Sequence, residues 1–385
     1  MPPDADPLWA PRFWSTAAGY WRPPAAAGAW CLTAALIGVT VLQLGMQYQL
    51  NFWSRDFFDA FGRRDGTVLR TAALLFPLLA GTSVLLTIVS VWARMTLQRD
   101  WRAWLTRHLM ERWLGNDRFS QLHFHAGEDG NPEYRIAEDA RVATDAPIGM
   151  ATGALTALLN AVTFISILWN VGGDLTVEVF GGTLTLPKYL VITVVIYSGL
   201  LTIAMTVIGR RMVHVIAEKN AAEAQFRSIA SDLREHGASA PGGMAGEMAG
   251  EMAGEMAGGM TGGMTGLDRH HALGAAFDTV YGRWRDLCIQ FMRTTLVSYS
   301  NILMAPVIAW ILCVPKYLGG TMSLGEAAQV VAAFVMVQAA LNWLVDNYPG
   351  LAECLSSVNR VSALLVAMDE LDEAGVGQAA GRETV

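Results

Sequence analysis

Polar and apolar positions in this chain fall into long blocks. Six blocks carry no Asp, Glu, Lys or Arg: residues 26–48, 71–93, 146–173, 189–208, 294–315 and 327–345. A hydrocarbon layer about 30 Å thick takes roughly 20 helical residues to cross, whereas a helix in a soluble protein keeps one face charged toward water. The blocks therefore predict six membrane-spanning helices. Several of them are parts of longer helices. After the second block Trp101, Trp104, Leu105, Leu109 and Trp113 recur at three- and four-residue steps, the mark of one apolar helix face. The stretch following Ile208 is rich in helix formers, and residues 275–293 lead into the fifth block in the same way. Residues 11–21 combine aromatic side chains with one Arg, a pattern that suits a helix lying flat at the interface. Thr176–Phe180 and Thr183–Leu186, around Gly181-Gly182, predict a β-hairpin between the third and fourth spans.

Composition agrees with this picture. Of 385 residues, 53% are hydrophobic and 16% charged, against about 25% charged in a soluble domain. A net charge of −7 argues against nucleic acid as a partner, because phosphate binding needs a basic face. Residues 94–145 hold eight arginines and residues 209–293 nine Lys or Arg, while the alternate loops hold four, one and one. By the positive-inside rule the two long loops and both termini are cytoplasmic.

Metal and redox chemistry find little support. Cys31, Cys288, Cys313 and Cys354 are scattered without a C-x-x-C pair and read as small buried side chains. His123-Phe-His125 with Glu128, and His270-His271, lack the H-E-x-x-H spacing of zinc hydrolases and read as solvated loop residues. Asn160, Asn301 and Gln338 lie inside spans, where they either bridge helices or line a pathway. From Met244 to Leu267 six tetrapeptides repeat, three of them Met-Ala-Gly-Glu. Each interior glycine costs a helix about 1 kcal/mol against alanine, so residues 237–267 are predicted to be a disordered insert in the second cytoplasmic loop. Capture of Cu(I) by the thioethers is the alternative.

Four stretches carry a family resemblance. Residues 51–61 begin Asn51-Phe-Trp53-Ser-Arg55-Asp56-Phe57 and resemble the pattern N-x-W-N-R-x-F-Y-D-A-L. Asn131-Pro132-Glu-Tyr-Arg135-Ile136-Ala-Glu138-Asp139 resembles N-P-D-Q-R-I-x-E-D, and Glu223-Ala-Gln-Phe226-Arg227 resembles E-A-x-F-R. Residues 342–353, followed by Asn359-Arg-Val, are similar to the end of the same domain. Together they resemble the SbmA/BacA-like and peroxisomal-type (subfamily D) ABC transporters, bacterial branch, over residues 25–370. The resemblance implies an all-α membrane protein with six transmembrane helices and long cytoplasmic extensions, an ABC exporter type transmembrane domain. It would occupy residues 26–372, between an N-terminal cytoplasmic segment (1–25) and a C-terminal tail (373–385).

The resemblance further implies a homodimer in the bacterial inner membrane moving a bulky substrate, such as a peptide, a cobalamin-like molecule or an acyl compound, by alternating access. Residues 131–139 would form a short coupling helix at the loop tip, and residues 51–65 an interfacial anchor and outer gate. None of the three lysines, Lys188, Lys219 and Lys316, stands in a G-x-x-x-x-G-K-[ST] phosphate loop. The chain is therefore expected not to be an enzyme and to hold no cofactor, with ATP and Mg²⁺ on a partner or missing ATPase domain. After Arg234-Glu235 the family's second coupling helix gives way to the Met/Gly repeat. Two alternatives remain: a proton-driven SbmA/BacA-type peptide importer, with Glu326, Asp346 and Glu353 as possible proton-linked acids at span ends, and a degenerate non-transporting membrane scaffold.

Overall fold

Each apolar block lies inside a longer helix. The computed structural model describes residues 9–23, 26–115, 132–179, 182–238 and 266–382. A short helix, α1 (Trp9–Ala17), runs into a 3-10 turn at Ala18–Trp21. Next come α2 (Ala26–Arg63), α3 (Gly66–Leu114) and α4 (Pro132–Gly172). The hairpin β1 (Leu175–Val179) and β2 (Gly182–Leu186) pairs antiparallel, with Leu175 opposite Leu186. The chain continues through α5 (Tyr189–Ala238), α6 (Gly266–Leu318), α7 (Leu324–Asp346) and α8 (Tyr348–Arg382). Among the described residues six helical stretches, which include α2 to α7, are long and apolar enough to cross a membrane.

Local chemistry sets the helix ends. Arg64, at φ 57°, turns the chain from α2 to α3, and the Asp65 carboxylate accepts hydrogen bonds from the Thr67 and Val68 N–H groups. Gly320, at φ 69°, makes the turn between α6 and α7. Ser323 then caps α7 in a full capping box with Glu326.

Several expectations need correction. The first-loop motif is not a separate coupling helix at a loop tip. Pro132 starts a helix that runs through a π turn, Arg135–Asp139, directly into the third span. Pro suits a first helical position, and nothing from Arg135 to Ala146 breaks the helix, so it propagates. Asn131 lies outside the described residues, as do His123, His125, Glu128 and the repeat up to Thr265. The presumed tail is helical as far as Arg382. Cys313 and Cys354 are buried as expected, but Cys31 and Cys288 are exposed.

The chain divides into two compact units: residues 1–198 with 305–385, and residues 199–304. The first unit has two apolar cores. Away from the hairpin, Phe13 of α1, Trp101, Leu105 and Leu109 of α3, Ile136 of α4, and Leu365 and Met368 of α8 are buried together. This joins the predicted apolar face of α3 to the interfacial helix. Trp101 Nε1 donates to the Ala17 carbonyl at 3.1 Å, and a Cβ on Gly19 would come within 2.6 Å of the Trp104 ring. Toward the hairpin, Phe164 and Leu168 of α4, Leu190 of α5, Ala309 of α6, and Phe334 and Val337 of α7 form the second core.

The second unit is an antiparallel pair of helical segments from α5 and α6. Gln290 Nε2 donates to the Ile208 carbonyl at 2.7 Å, Arg283 pairs with Glu218 at 2.6 Å, and Phe226 meets Phe277 with ring centroids 6.1 Å apart.

Candidate functional site

In the first unit the family motifs lie at its two ends, with a polar cleft between helices of the same unit.

At the hairpin end, the residue 51–57 motif ties α2 to the start of α7. Asn51 is buried, and its Nδ2 donates to the Gln329 carbonyl at 3.1 Å. Arg55 donates to Glu326 at 3.2 Å, and one turn on Asp59 accepts the Gly325 N–H at 2.8 Å. A carboxylate against the first turn of α7 is favoured by the helix dipole. The approach is close: a Cβ on Gly325 would sit 2.1 Å from the Arg55 carbonyl oxygen. Trp53 donates to the Ala72 carbonyl at 2.8 Å and stacks on Phe57 at 5.1 Å, so the aromatic residues also fasten α2 to α3. Asp56 is exposed. Glu326 is engaged twice, by Arg55 and by the capping box, while Asp346 and Glu353 are exposed. The three acids are not brought together.

At the other end, the π turn of the first-loop motif presses Asp139 inward, where it is 1% exposed. An extra residue in one helical turn re-aims the side chain. Arg360 of α8 grips this carboxylate with Nε at 2.8 Å and Nη2 at 2.6 Å, and Ser357 approaches it at 3.3 Å. The bidentate fork is the strong form of such a contact. Pro132 and Ile136 are buried beside it and Arg135 is half-buried. Glu138 faces outward, and the Arg141 guanidinium holds its carboxyl below the usual carboxylate range. Further along α8, Asp369 receives both Arg12 of α1 and Arg112 of α3. Burial alone would raise the Asp369 carboxyl, but the two guanidiniums outweigh it and hold it below its ordinary value. We call these two contacts the α8 clasp.

Within the second unit, Glu223 accepts from Trp284 Nε1 at 3.1 Å and pairs with Lys219 at 3.1 Å, and the Lys219 ammonium lowers its pKa. Phe226 is half-buried against α6, and Arg227 is exposed. The motif therefore fastens α5 to α6.

Between the two ends of the first unit, α2, α3, α4 and α7 enclose a cleft of about 310 Å³. Thr40, Gln43, Ser90, Arg94, Thr152, Thr156, Asn160 and Trp343 line it, with Met336 and Ala340 as apolar wall. Asn160 thus belongs to a cleft, whereas Gln338 is buried. Among the described residues no group of three His, Cys, Asp or Glu could hold a metal.

Residues 21–239 match the family described as ABC transporter transmembrane region 2. The chain belongs to that family. It is a multi-pass membrane protein whose membrane domain is of the subfamily D kind. The inner membrane ABC transporter ATP-binding protein YddA of Escherichia coli is 28% identical over 334 residues, 86% of this chain and 55% of YddA. An uncharacterised ABC transporter ATP-binding protein of Synechocystis is 22% identical over 337 residues, 86% of this chain and 45% of its own length. The chloroplastic ABC transporter D family member 2 of Arabidopsis thaliana is 22% identical over 232 residues, 60% of this chain and 30% of its own length. The chain spans about half the length of the first two.

Three contributors to this transmembrane region escaped sequence reasoning. Arg360 sits inside the quoted Asn359-Arg-Val stretch, but its partner is more than 200 positions away. Asp369 lies beyond that stretch in an ordinary-looking charged helix. Arg94 directly follows the second apolar block, where it reads as a boundary residue.

Proposed function

We propose that the chain is the membrane-spanning half of an ABC transporter, pairing as a homodimer to move a bulky amphipathic substrate across a bacterial inner membrane. ATP hydrolysis belongs to an ATPase domain or subunit joined to it, and both termini face the cytoplasm, a reading that the arginine distribution supports. The α8 clasp is the observation that carries this reading. The first-loop motif is bolted through Asp139 and Arg360 to the helix that closes the chain, so a push delivered near the loop moves the bundle as one piece.

Homodimer formation is supported by the second unit. Phe277, Tyr281 and Trp284 are 55%, 69% and 47% exposed, beyond the apolar span of α6, where lipid does not cover them. The proton-driven reading gains nothing from Glu326, whose carboxylate already serves a cap and an ion pair.

The test is reconstitution in vesicles with the cognate ATPase. Uptake or extrusion of a candidate substrate that needs ATP and stops with a non-hydrolysable analogue is the expected result. Transport that ignores nucleotide and follows an imposed pH gradient would overturn it.

A further inference from the structure

The cleft between α2, α3, α4 and α7 has an unusual lining. Its walls come from membrane-spanning stretches and from Arg94, the residue that follows the second of them, so they carry one full positive charge and no carboxylate. Arg94, at the end of the second span, is half-buried here. Among the described residues, no ion pair or hydrogen bond engages the guanidinium of Arg94.

The remaining polar groups divide by what they offer. Thr40 and Thr156 give their hydroxyl protons to the Leu36 and Thr152 carbonyls at 2.8 and 2.9 Å, and Thr152 bonds to the Ile148 carbonyl. Those three hydroxyls hold no proton for a ligand. The Ser90 hydroxyl and the Asn160 amide, which line the same cleft, stay available as donors. The Trp343 indole also lines the cleft, packed so tightly on Gly153 that a Cβ there would lie 2.7 Å from Nε1. Donors together with the indole ring, Met336 and alanine describe a receptor for a charged head with an apolar body.

We propose that this cleft binds the singly charged anionic group, a carboxylate or a phosphodiester, of an amphiphilic ligand, with Arg94 as its counter-charge. One guanidinium balances one negative charge, and its fork donates to two oxygens in a plane. A volume of about 310 Å³ holds a head group and the start of a chain. A whole peptide or macrocycle therefore places only one group here. The inference rests on the transporter reading for its meaning, since it names the chemical handle by which a substrate is held. Its test is a binding measurement that needs no ATPase.

The purified chain in nanodiscs of zwitterionic lipid is titrated with a fluorescent long-chain fatty acid. The competitors are the unlabelled acid, its neutral primary amide and phosphatidylglycerol. The acid is expected to displace the probe about tenfold better than the amide. Arg94→Gln abolishes that preference while leaving amide binding unchanged, and Arg94→Lys restores part of it. Gly153→Ala, which pushes the indole into the cleft, weakens acid and amide alike. Stronger displacement by phosphatidylglycerol than by the acid assigns the site to a phosphodiester head, and the reverse to a carboxylate. Equal competition by acid and amide in the unmodified chain, or unchanged acid preference in a folded Arg94→Gln, overturns the proposal. Charge-selective binding with no ATP-dependent transport would leave the site standing and remove the transporter reading.

Discussion

Asp139 shows how much can depend on one side chain. A carboxylate with almost no exposure is tolerable only because Arg360 and Ser357 hold it. Arg360→Ala leaves that charge buried and unpaired, at a cost of about 2–3 kcal/mol. That figure is discounted because the Arg360 side chain is 44% exposed. Thermal unfolding in detergent will show the loss, and Arg360→Lys will recover only part of it because an ammonium cannot grip both oxygens. A variant that unfolds at the unmodified temperature would show the pair to be incidental. Gln329 is the opposite case. It is fully buried, and neither its amide nitrogen nor its amide oxygen has a hydrogen-bond partner among the described residues. Gln329→Leu is therefore expected to be neutral or to stabilise by about 1 kcal/mol; marked destabilisation would reveal a partner at that amide. At this scale the sequence is hard to read. The motif residues around positions 51 and 131 announce themselves, but a motif does not name its partner. Arg360, Gly325 and Asp369 acquire meaning only when helices far apart in sequence are packed together.

The elements themselves were legible. Charge-free blocks place the spans because a bilayer enforces both length and apolarity, and the aromatic spacing on α3 identified the face that receives α1. The π turn was not legible, since an extra residue in a helix leaves no compositional trace. Packing between elements gives two further predictions. Gly325→Ala drives a methyl group into the Arg55 carbonyl, so α7 must back away from α2, at about 1–3 kcal/mol. The loss will appear as a lower unfolding temperature, and Gly320→Ala, with open space around it but φ at 69°, separates a steric cost from a conformational one. The seam between α1 and α8 is pH-dependent in a defined direction. Because Asp369 titrates below its unfolded value of about 3.9, the bridges to Arg12 and Arg112 stay intact above that pH. They are lost as pH falls through the lower folded value. Spin-label distances between Ser15 and α8 will hold constant from pH 7 to 5 and lengthen only in stronger acid. In Asp369→Asn the acid step will be absent; a change near neutrality in the unmodified chain would contradict the assignment.

For the whole molecule, the unclosed account is the apolar surface of the second unit. Aromatic side chains on α6 beyond the span need a cover in water, and the proposed second copy supplies one. Native mass measurement is expected to find two copies, and Tyr281→Arg to give monomers whose helix content is unchanged. A dimer indifferent to that charge would move the interface elsewhere. The α8 clasp also reaches beyond mechanics. Asp139 and Arg360 stand 221 positions apart, on segments that meet only in the folded chain. Neither can be exchanged alone without stranding the other, so lineages of this membrane domain will change the two together or not at all. The same constraint bears on hybrids. A front half borrowed from one relative and a closing helix from another will assemble only where both parents kept matching partners, whatever their overall identity.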